Sequence, residues 1–325
     1  MKLNKVILPL AFLGAVIAQN ALAIEVPSPL VEADWLNAHK SDVVVLQVSG
    51  PLKSFTQAPA TKQVEGKLVV ERVSGHVPGA RFVDFKQVRV TKMVDGKKVK
   101  ALIPEKADFE KLARSWGVNK DDAIVFVPAG LNTADVGEAT RLYWQFKYYG
   151  HNNMAVLNGG MAAWLAAGYP AATDAPSAPQ GDWSASAEDS SILATYSDVR
   201  SALEKKNVQL ADARPQNQYM GVFTKPGERS GHLAGAVDIS PDLLTRADGA
   251  SARFLPAASY KSIMQAKGLD TAEPTITYCN TGHLASGLWF VNHEIVGNKQ
   301  TKMYDGSLVE YSLLGGETVD PAKLD

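Results

Sequence analysis

A single cysteine, Cys279, stands in a chain of 325 residues. A thiol becomes a strong nucleophile when it is held as the thiolate, and its surroundings decide how readily that happens. The residues after Cys279 are Asn280, Thr281, Gly282, His283, Leu284 and Ala285. Small or polar side chains and one glycine let backbone N–H groups turn toward a common point. A thiol at that point faces amide donors and the positive end of a helix, a setting that favours the thiolate and can hold an anion. The competing reading of a lone cysteine is an inert, core-packed residue.

Such chemistry needs a strand to deliver the thiol and a helix to begin behind it. Thr275-Ile276-Thr277-Tyr278 is β-branched and aromatic, as a short buried strand is. Leu284, Leu288, Phe290 and Val291 fall at spacings that a buried helix uses. The same elements occur twice. Ser74-Gly75-His76-Val77-Pro78-Gly79-Ala80 matches Ser230-Gly231-His232-Leu233-Ala234-Gly235-Ala236. The segment from Val156 to Trp164 matches that from Met303 to Tyr311, and the strand-like run from Ala123 to Val127 corresponds to that from Thr275 to Tyr278. Alternation of β and α elements of this size predicts an α/β fold of two domains, each a parallel sheet with helices on both faces. Ligands of such sheets bind beyond the carboxyl ends of the strands, where Cys279 falls. A Pro, Ala, Ser and Gly-rich stretch near the middle reads as a linker, giving domains at 28–172 and 189–318 joined by 173–188. The aromatic run Tyr143, Trp144, Phe146, Tyr148, Tyr149 has helical spacing and reads as core. Lys97, Lys98 and Lys100, beside Asp95-Gly96, read as a solvated hairpin.

The N-terminus bears on where the thiol works. Lys2 and Lys5 precede an apolar stretch from Val6 to Ala18, too short to span a bilayer, and Ala21-Leu22-Ala23 is a cleavage signal. Residues 1–23 are therefore expected to be a removable leader, with a periplasmic product. A free thiol in that oxidising compartment is a liability unless it is used. Removing Lys2 and Lys5 changes the formal balance from 33 − 34 = −1 to 31 − 34 = −3. Nothing in that balance points to nucleic acid or an anionic membrane as partner. Six scattered histidines and one cysteine show no metal-ligand spacing.

Taken in order, the Gly-His-x-x-Gly-Ala turn at Gly75 and again at Gly231, the Asp212-Ala213-Arg214 strand end, the Cys279 loop and the Gly306 turn resemble the tandem rhodaneses. These are the thiosulfate and mercaptopyruvate sulfurtransferases, and the likeness covers nearly all of residues 28 to 315. It implies that Cys279 takes sulfur from a small anionic donor and passes it to a thiol, a cyanide-like molecule or a protein acceptor, without metal or organic cofactor. It implies substrate contacts from Asn280, Thr281, Gly282, His283, Leu284, Ala285, Arg214 and Arg229, with Asp212 and His232 as structural support. The first half, whose loop Val127-Pro128-Ala129-Gly130-Leu131-Asn132-Thr133 has no cysteine, would serve as a wall of the cleft. His76 and His232 are expected to make structural hydrogen bonds.

The loop departs from both common versions in that family. Thiosulfate-type members place Arg and Lys after the cysteine, and mercaptopyruvate-type members read Cys-Gly-Ser-Gly; here the run is Cys-Asn-Thr-Gly-His-Leu. Gln218 stands where many tandem members carry a substrate-binding Arg, so Arg229, Arg214 or a protonated His283 is left to supply positive charge. A non-catalytic sulfur- or selenium-binding carrier is the alternative this loop leaves open. A cysteine phosphatase is not, because Ala285 stands where that chemistry needs an arginine to grip phosphate. A nucleophilic Cys279 predicts that Cys279→Ser abolishes sulfur transfer while the thermal transition stays close to wild type. Steady-state turnover and circular dichroism on the same sample check both halves of that statement.

Overall fold

The computed structural model describes residues 24–323; the expected leader lies outside them. Two five-stranded parallel sheets share one strand order. In the first, neighbours run Leu30–Val31, Met154–Leu157, Ile124–Val127, Val44–Ser49, Arg81–Asp84. In the second they run Leu193–Ala194, Thr301–Tyr304, Thr275–Tyr278, Gln209–Asp212, Val237–Asp238. The expected strand before Cys279 is thus central in its sheet, paired in parallel with Gln209–Asp212 on one side and Thr301–Tyr304 on the other. Central parallel strands are covered on both faces, which is why Thr275, Ile276, Thr277 and Tyr278 are all buried.

Both Gly-His turns are built alike. His76 stacks on Phe55 with ring centroids 3.8 Å apart, and its Nδ1 lies 3.0 Å from the Phe55 carbonyl. His232 stacks on Tyr219 at 3.7 Å, with Nδ1 2.8 Å from the Tyr219 carbonyl. Each turn is also tied to the neighbouring central strand. Gln47 donates to the Gly75 carbonyl at 2.8 Å, and Arg214 donates to the Gly231 carbonyl at 2.7 Å.

The halves are fused through a common core. The helix Thr133–Tyr148, which follows the cysteine-free loop, lies against the helix His283–Trp289, which follows Cys279. Small residues let them approach. A Cβ on Gly137 would stand 3.0 Å from the His283 ring. The Thr140 and Ser286 hydroxyls meet at 3.0 Å. Farther along, Tyr143 meets Phe290 edge-on at 5.0 Å, and Lys147 pairs with Glu294 at 3.1 Å. Tyr143, Trp144, Phe146 and Tyr149 are buried and Tyr148 is partly so, so most of the aromatic run is interdomain core.

Two segments work differently from a spacer and a solvated turn. The stretch between the domains is a strap on the first one: Gly181 donates to Arg114, and Trp183, buried, donates through its backbone to Val118. The hairpin Val90–Val94 and Lys97–Leu102 keeps its three lysines exposed, but Val99 and Leu102 pack on Val309 of the second domain. Phe290→Ala empties a fully buried site touching both halves and should cost about 3–5 kcal/mol. Because the core is shared, denaturant unfolding of wild type and variant should each show one transition, with the variant midpoint lower. Two separated transitions in wild type would mean the halves unfold independently.

Candidate active site

Cys279 leaves the carboxyl end of its strand already buried, at 2 % exposure. The loop after it is fixed from behind by the helix Ser307–Leu313. Leu308 donates its N–H to the Cys279 carbonyl and Val309 donates to the Asn280 carbonyl, both at 3.1 Å. Ser307 Oγ accepts from the Cys279 N–H at 3.2 Å and the Gly282 N–H at 3.0 Å, and donates to the Tyr304 carbonyl at 2.8 Å. Ser307 does this from a left-handed backbone, at φ 48°. Gly282, at φ +70°, makes the turn into the next helix, where a Cβ would lie 2.7 Å from the Asp305 carbonyl.

With its carbonyls held on one side, the loop can turn its amides to the other. The N–H groups of Asn280, Thr281, His283 and Leu284 meet no protein acceptor among the described residues. A run of free amides next to a thiol can stabilise an anionic sulfur species attached to it. The first half repeats the frame without the chemistry. Met161 donates to the Pro128 carbonyl at 2.8 Å and Ala162 to the Ala129 carbonyl at 3.0 Å. Pro128 therefore occupies the place of Cys279, and Gly160, at φ +56°, that of Ser307.

The side chains named from the sequence divide by location. Asn280 is buried and engaged. Its amide lies 2.8 Å from Gln218, 2.8 Å from Glu228 and 3.0 Å from the Lys225 ammonium. The orientation with nitrogen toward Glu228 and oxygen toward Lys225 suits both charges. Gln218 thus helps to clasp Asn280. Arg214 is buried and spends Nε and Nη2 on Asp212 and Gly231. Burial opposes its charge, but Asp212 outweighs that and holds the guanidinium above its ordinary value. Asp212 and Arg214 thus pin the Gly231 turn beside the strand end. Arg229 is exposed, with its backbone N–H on Ser312 Oγ at 3.1 Å. His232 is engaged in its turn, as expected. Thr281 and Leu284 are half-buried, and Ala285 is buried, its carbonyl accepting from Thr277 Oγ1. Leu284 also lines an open groove of about 460 Å³ with Leu131, Asn132, Thr133, Pro215 and Thr245, so both halves form its walls. A larger cavity of about 610 Å³, around Leu203, Lys206 and Gly235, includes no residue of the Cys279 loop in its lining.

Two first-domain cations near the loop escape a sequence reading. Arg141 is fully buried, with Nη2 2.5 Å from Asp305 and Nη1 donating to the Gly282 carbonyl at 3.4 Å. Asp305 also accepts from the Ile103 N–H at 2.8 Å, so it ties the Gly306 turn to the first domain. Arg89 lies over the Phe85 ring at 4.3 Å, and His283 packs on the same ring at 4.8 Å. Neither arginine carries a motif, and each lies more than a hundred residues from Cys279 in sequence. Only domain packing brings them there.

His283 is a wall rather than a charge. Its Nε2 lies 2.9 Å from the Ala134 carbonyl. Burial, reinforced by Arg89, pushes its imidazole down from 6.5 to about 4, so it is neutral at neutral pH. A histidine whose folded pKa is lowered makes the folded state refuse a proton that the unfolded chain accepts. The stabilising contribution is complete above pH 6.5 and declines as pH falls toward about 4. His283→Gln keeps a donor for Ala134 and does not titrate there, so its melting temperature should fall less than that of wild type across this window. Parallel curves for the two proteins would show that His283 does not contribute to the slope.

The model of the Rhodanese-like domain matches residues 32–167 and again 195–313. The chain is 32 % identical to a putative thiosulfate sulfurtransferase of Haloferax volcanii, over 90 % of this chain and 96 % of the relative. It is 30 % identical to the thiosulfate sulfurtransferase of Bos taurus, over 87 % and 91 %. Among solved structures, the 3-mercaptopyruvate sulfotransferase SseA from Escherichia coli superimposes with a TM-score of 0.69 at 23 % identity, covering 86 % of this chain and 98 % of that one.

Proposed function

Since the chain belongs to the rhodanese family and is a sulfurtransferase of that class, we propose that Cys279 carries the transferred sulfur as a persulfide. The donor is a small sulfur-bearing anion, either thiosulfate or polysulfide, which carry sulfane sulfur, or mercaptopyruvate, whose C–S bond breaks with its electron pair leaving on carbon as the pyruvate enolate, and the acceptor is a thiol or a cyanide-like nucleophile. The observation that carries this reading is the frame around Cys279. Its carbonyl and that of Asn280 are held by Leu308 and Val309, leaving a run of unpaired amides beside the only thiol.

With thiosulfate, the Cys279 thiolate attacks the outer sulfur. A Cys–S bond forms, the bond to the sulfonate sulfur breaks, and sulfite leaves with that electron pair. The persulfide is anionic, and the amides of Asn280, Thr281, His283 and Leu284 stabilise it by preorganised donation. An acceptor such as cyanide then attacks the terminal sulfur, thiocyanate departs, and the thiolate is restored. The enzyme alternates between a thiolate and a persulfide form, and sulfite leaves before the acceptor reacts, which is ping-pong kinetics. A carrier without turnover is the less favoured reading, since relatives matched over most of the chain are named as transferases. The leader expected over residues 1–23 supports a periplasmic place of work.

Peptide mass spectrometry after incubation with thiosulfate or polysulfide should find one added sulfur atom on Cys279. Cyanide or a thiol should remove it, and initial rates with both substrates varied should give parallel double-reciprocal lines. Sulfur added elsewhere, or intersecting lines, would refute the covalent scheme.

A further inference from the structure

We propose that Arg89, from the half of the chain without a cysteine, binds the anionic group of the sulfur donor at the Cys279 loop. This rests on the sulfur-transfer reading above and specifies how that site recognises its donor.

The loop brings amides but no cation of its own; from the second domain the exposed Lys225 reaches Asn280, while Arg214 is engaged and Arg229 lies at the surface. Arg214 is taken up by Asp212 and Gly231. Lys225 faces the Asn280 amide oxygen and is drawn toward Glu228. Arg229 is at the surface. Arg141, from the first domain, is matched by Asp305.

Arg89 combines two features that none of these shares: no carboxylate lies within 4.0 Å of its guanidinium among the described residues, and its Nε is removed from water with no hydrogen-bond acceptor. Arg89 is half-buried, but buried N–H groups such as its Nε normally find partners, so an unmatched one close to the cysteine loop is suited to an arriving anion. Its place is fixed. The guanidinium is stacked over Phe85, Phe85 packs on His283, and His283 starts the helix behind the cysteine loop. The preceding residue, Val88, is buried, and its carbonyl accepts from Gln145 at 2.6 Å. Cys279, Asp305 and Glu138 lie within electrostatic reach of the guanidinium. A planar fork of N–H donors suits a sulfonate or a carboxylate, the two anionic ends that the proposed donors present.

The test compares wild type, Arg89→Gln and Arg89→Lys. Loss of one charge-assisted contact should raise the donor KM roughly ten- to a hundredfold in Arg89→Gln, with kcat at saturating donor much less affected. The inhibition constant of sulfite, competing for the same subsite, should rise in parallel. Arg89→Lys should recover part of both. Thiosulfate and mercaptopyruvate are run side by side: a rise for one alone identifies the anion recognised, sulfonate or carboxylate. Unchanged KM for both donors and unchanged sulfite inhibition in Arg89→Gln would overturn the proposal. If Arg89→Gln does not fold, as judged by its thermal transition, Arg89→Lys decides the matter. Its geometry cannot form the fork, so its KM and sulfite inhibition must weaken, and wild-type values would overturn the proposal. Failure of the parent reading looks different. In that case no donor adds sulfur to Cys279 of wild type, whereas failure of the subsite alone leaves that adduct intact.

Discussion

Two carbonyls, those of Cys279 and Asn280, accept hydrogen bonds from the first turn of the helix Ser307–Leu313. A tight loop has carbonyls and amides to place, and buried ones must find partners. Fixing the carbonyls behind the loop leaves its amides free to face the sulfur. Ser307 reinforces the arrangement by accepting from the Cys279 and Gly282 amides through one hydroxyl. Two segments separated by two helical segments, a strand and a turn thus define a single rigid frame. Strand order makes this available, because Thr275–Tyr278 and Thr301–Tyr304 are neighbours in a parallel sheet and their carboxyl ends open on the same side.

The first domain has that frame without the reactive atom. Pro128 has neither thiol nor N–H, yet its carbonyl and that of Ala129 are still captured by Met161 and Ala162. Retaining the frame keeps the helix Thr133–Tyr148 in position, and that helix is the surface on which the catalytic half is mounted. Gly137, Thr140, Arg141, Tyr143 and Lys147 face the second domain along successive turns of it. The cysteine-free half is therefore a partner for packing and electrostatics, with the geometry of a cysteine site but not its thiol.

Charge is distributed across the domain boundary in the same way. His283 is too enclosed to be protonated at neutral pH, and Asn280 is clasped by Gln218, Glu228 and Lys225. Besides Lys225, positive groups near the loop come from the first domain, as Arg89 and Arg141. Burial lowers the Arg89 pKa, with Arg141 adding to the effect, but an arginine stays charged through such shifts. A lysine or histidine at the same depth would give up its proton far more readily.

The sequence by itself determined what is local or repeated. Strand Thr275–Tyr278, the helix behind the thiol, the paired Gly-His turns and the α/β class follow from residue pattern, because period, β-branching and turn chemistry act over a few residues. The rhodanese likeness was equally legible, since order and spacing of short motifs survive in the chain itself. Tertiary structure alone decided which side chains share the site. Arg214, next to a recognisable strand end, is consumed by Asp212, whereas Arg89, in no motif, is carried to the loop by the docking of two helices. The linker composition is also compatible with a free spacer, and only the burial of Trp183 makes it a strap. Sequence spacing fixes which residues are near along the chain. Nearness through space depends on how two apolar helix faces, distant in sequence, fit together, and a pattern read along one chain does not contain that fit.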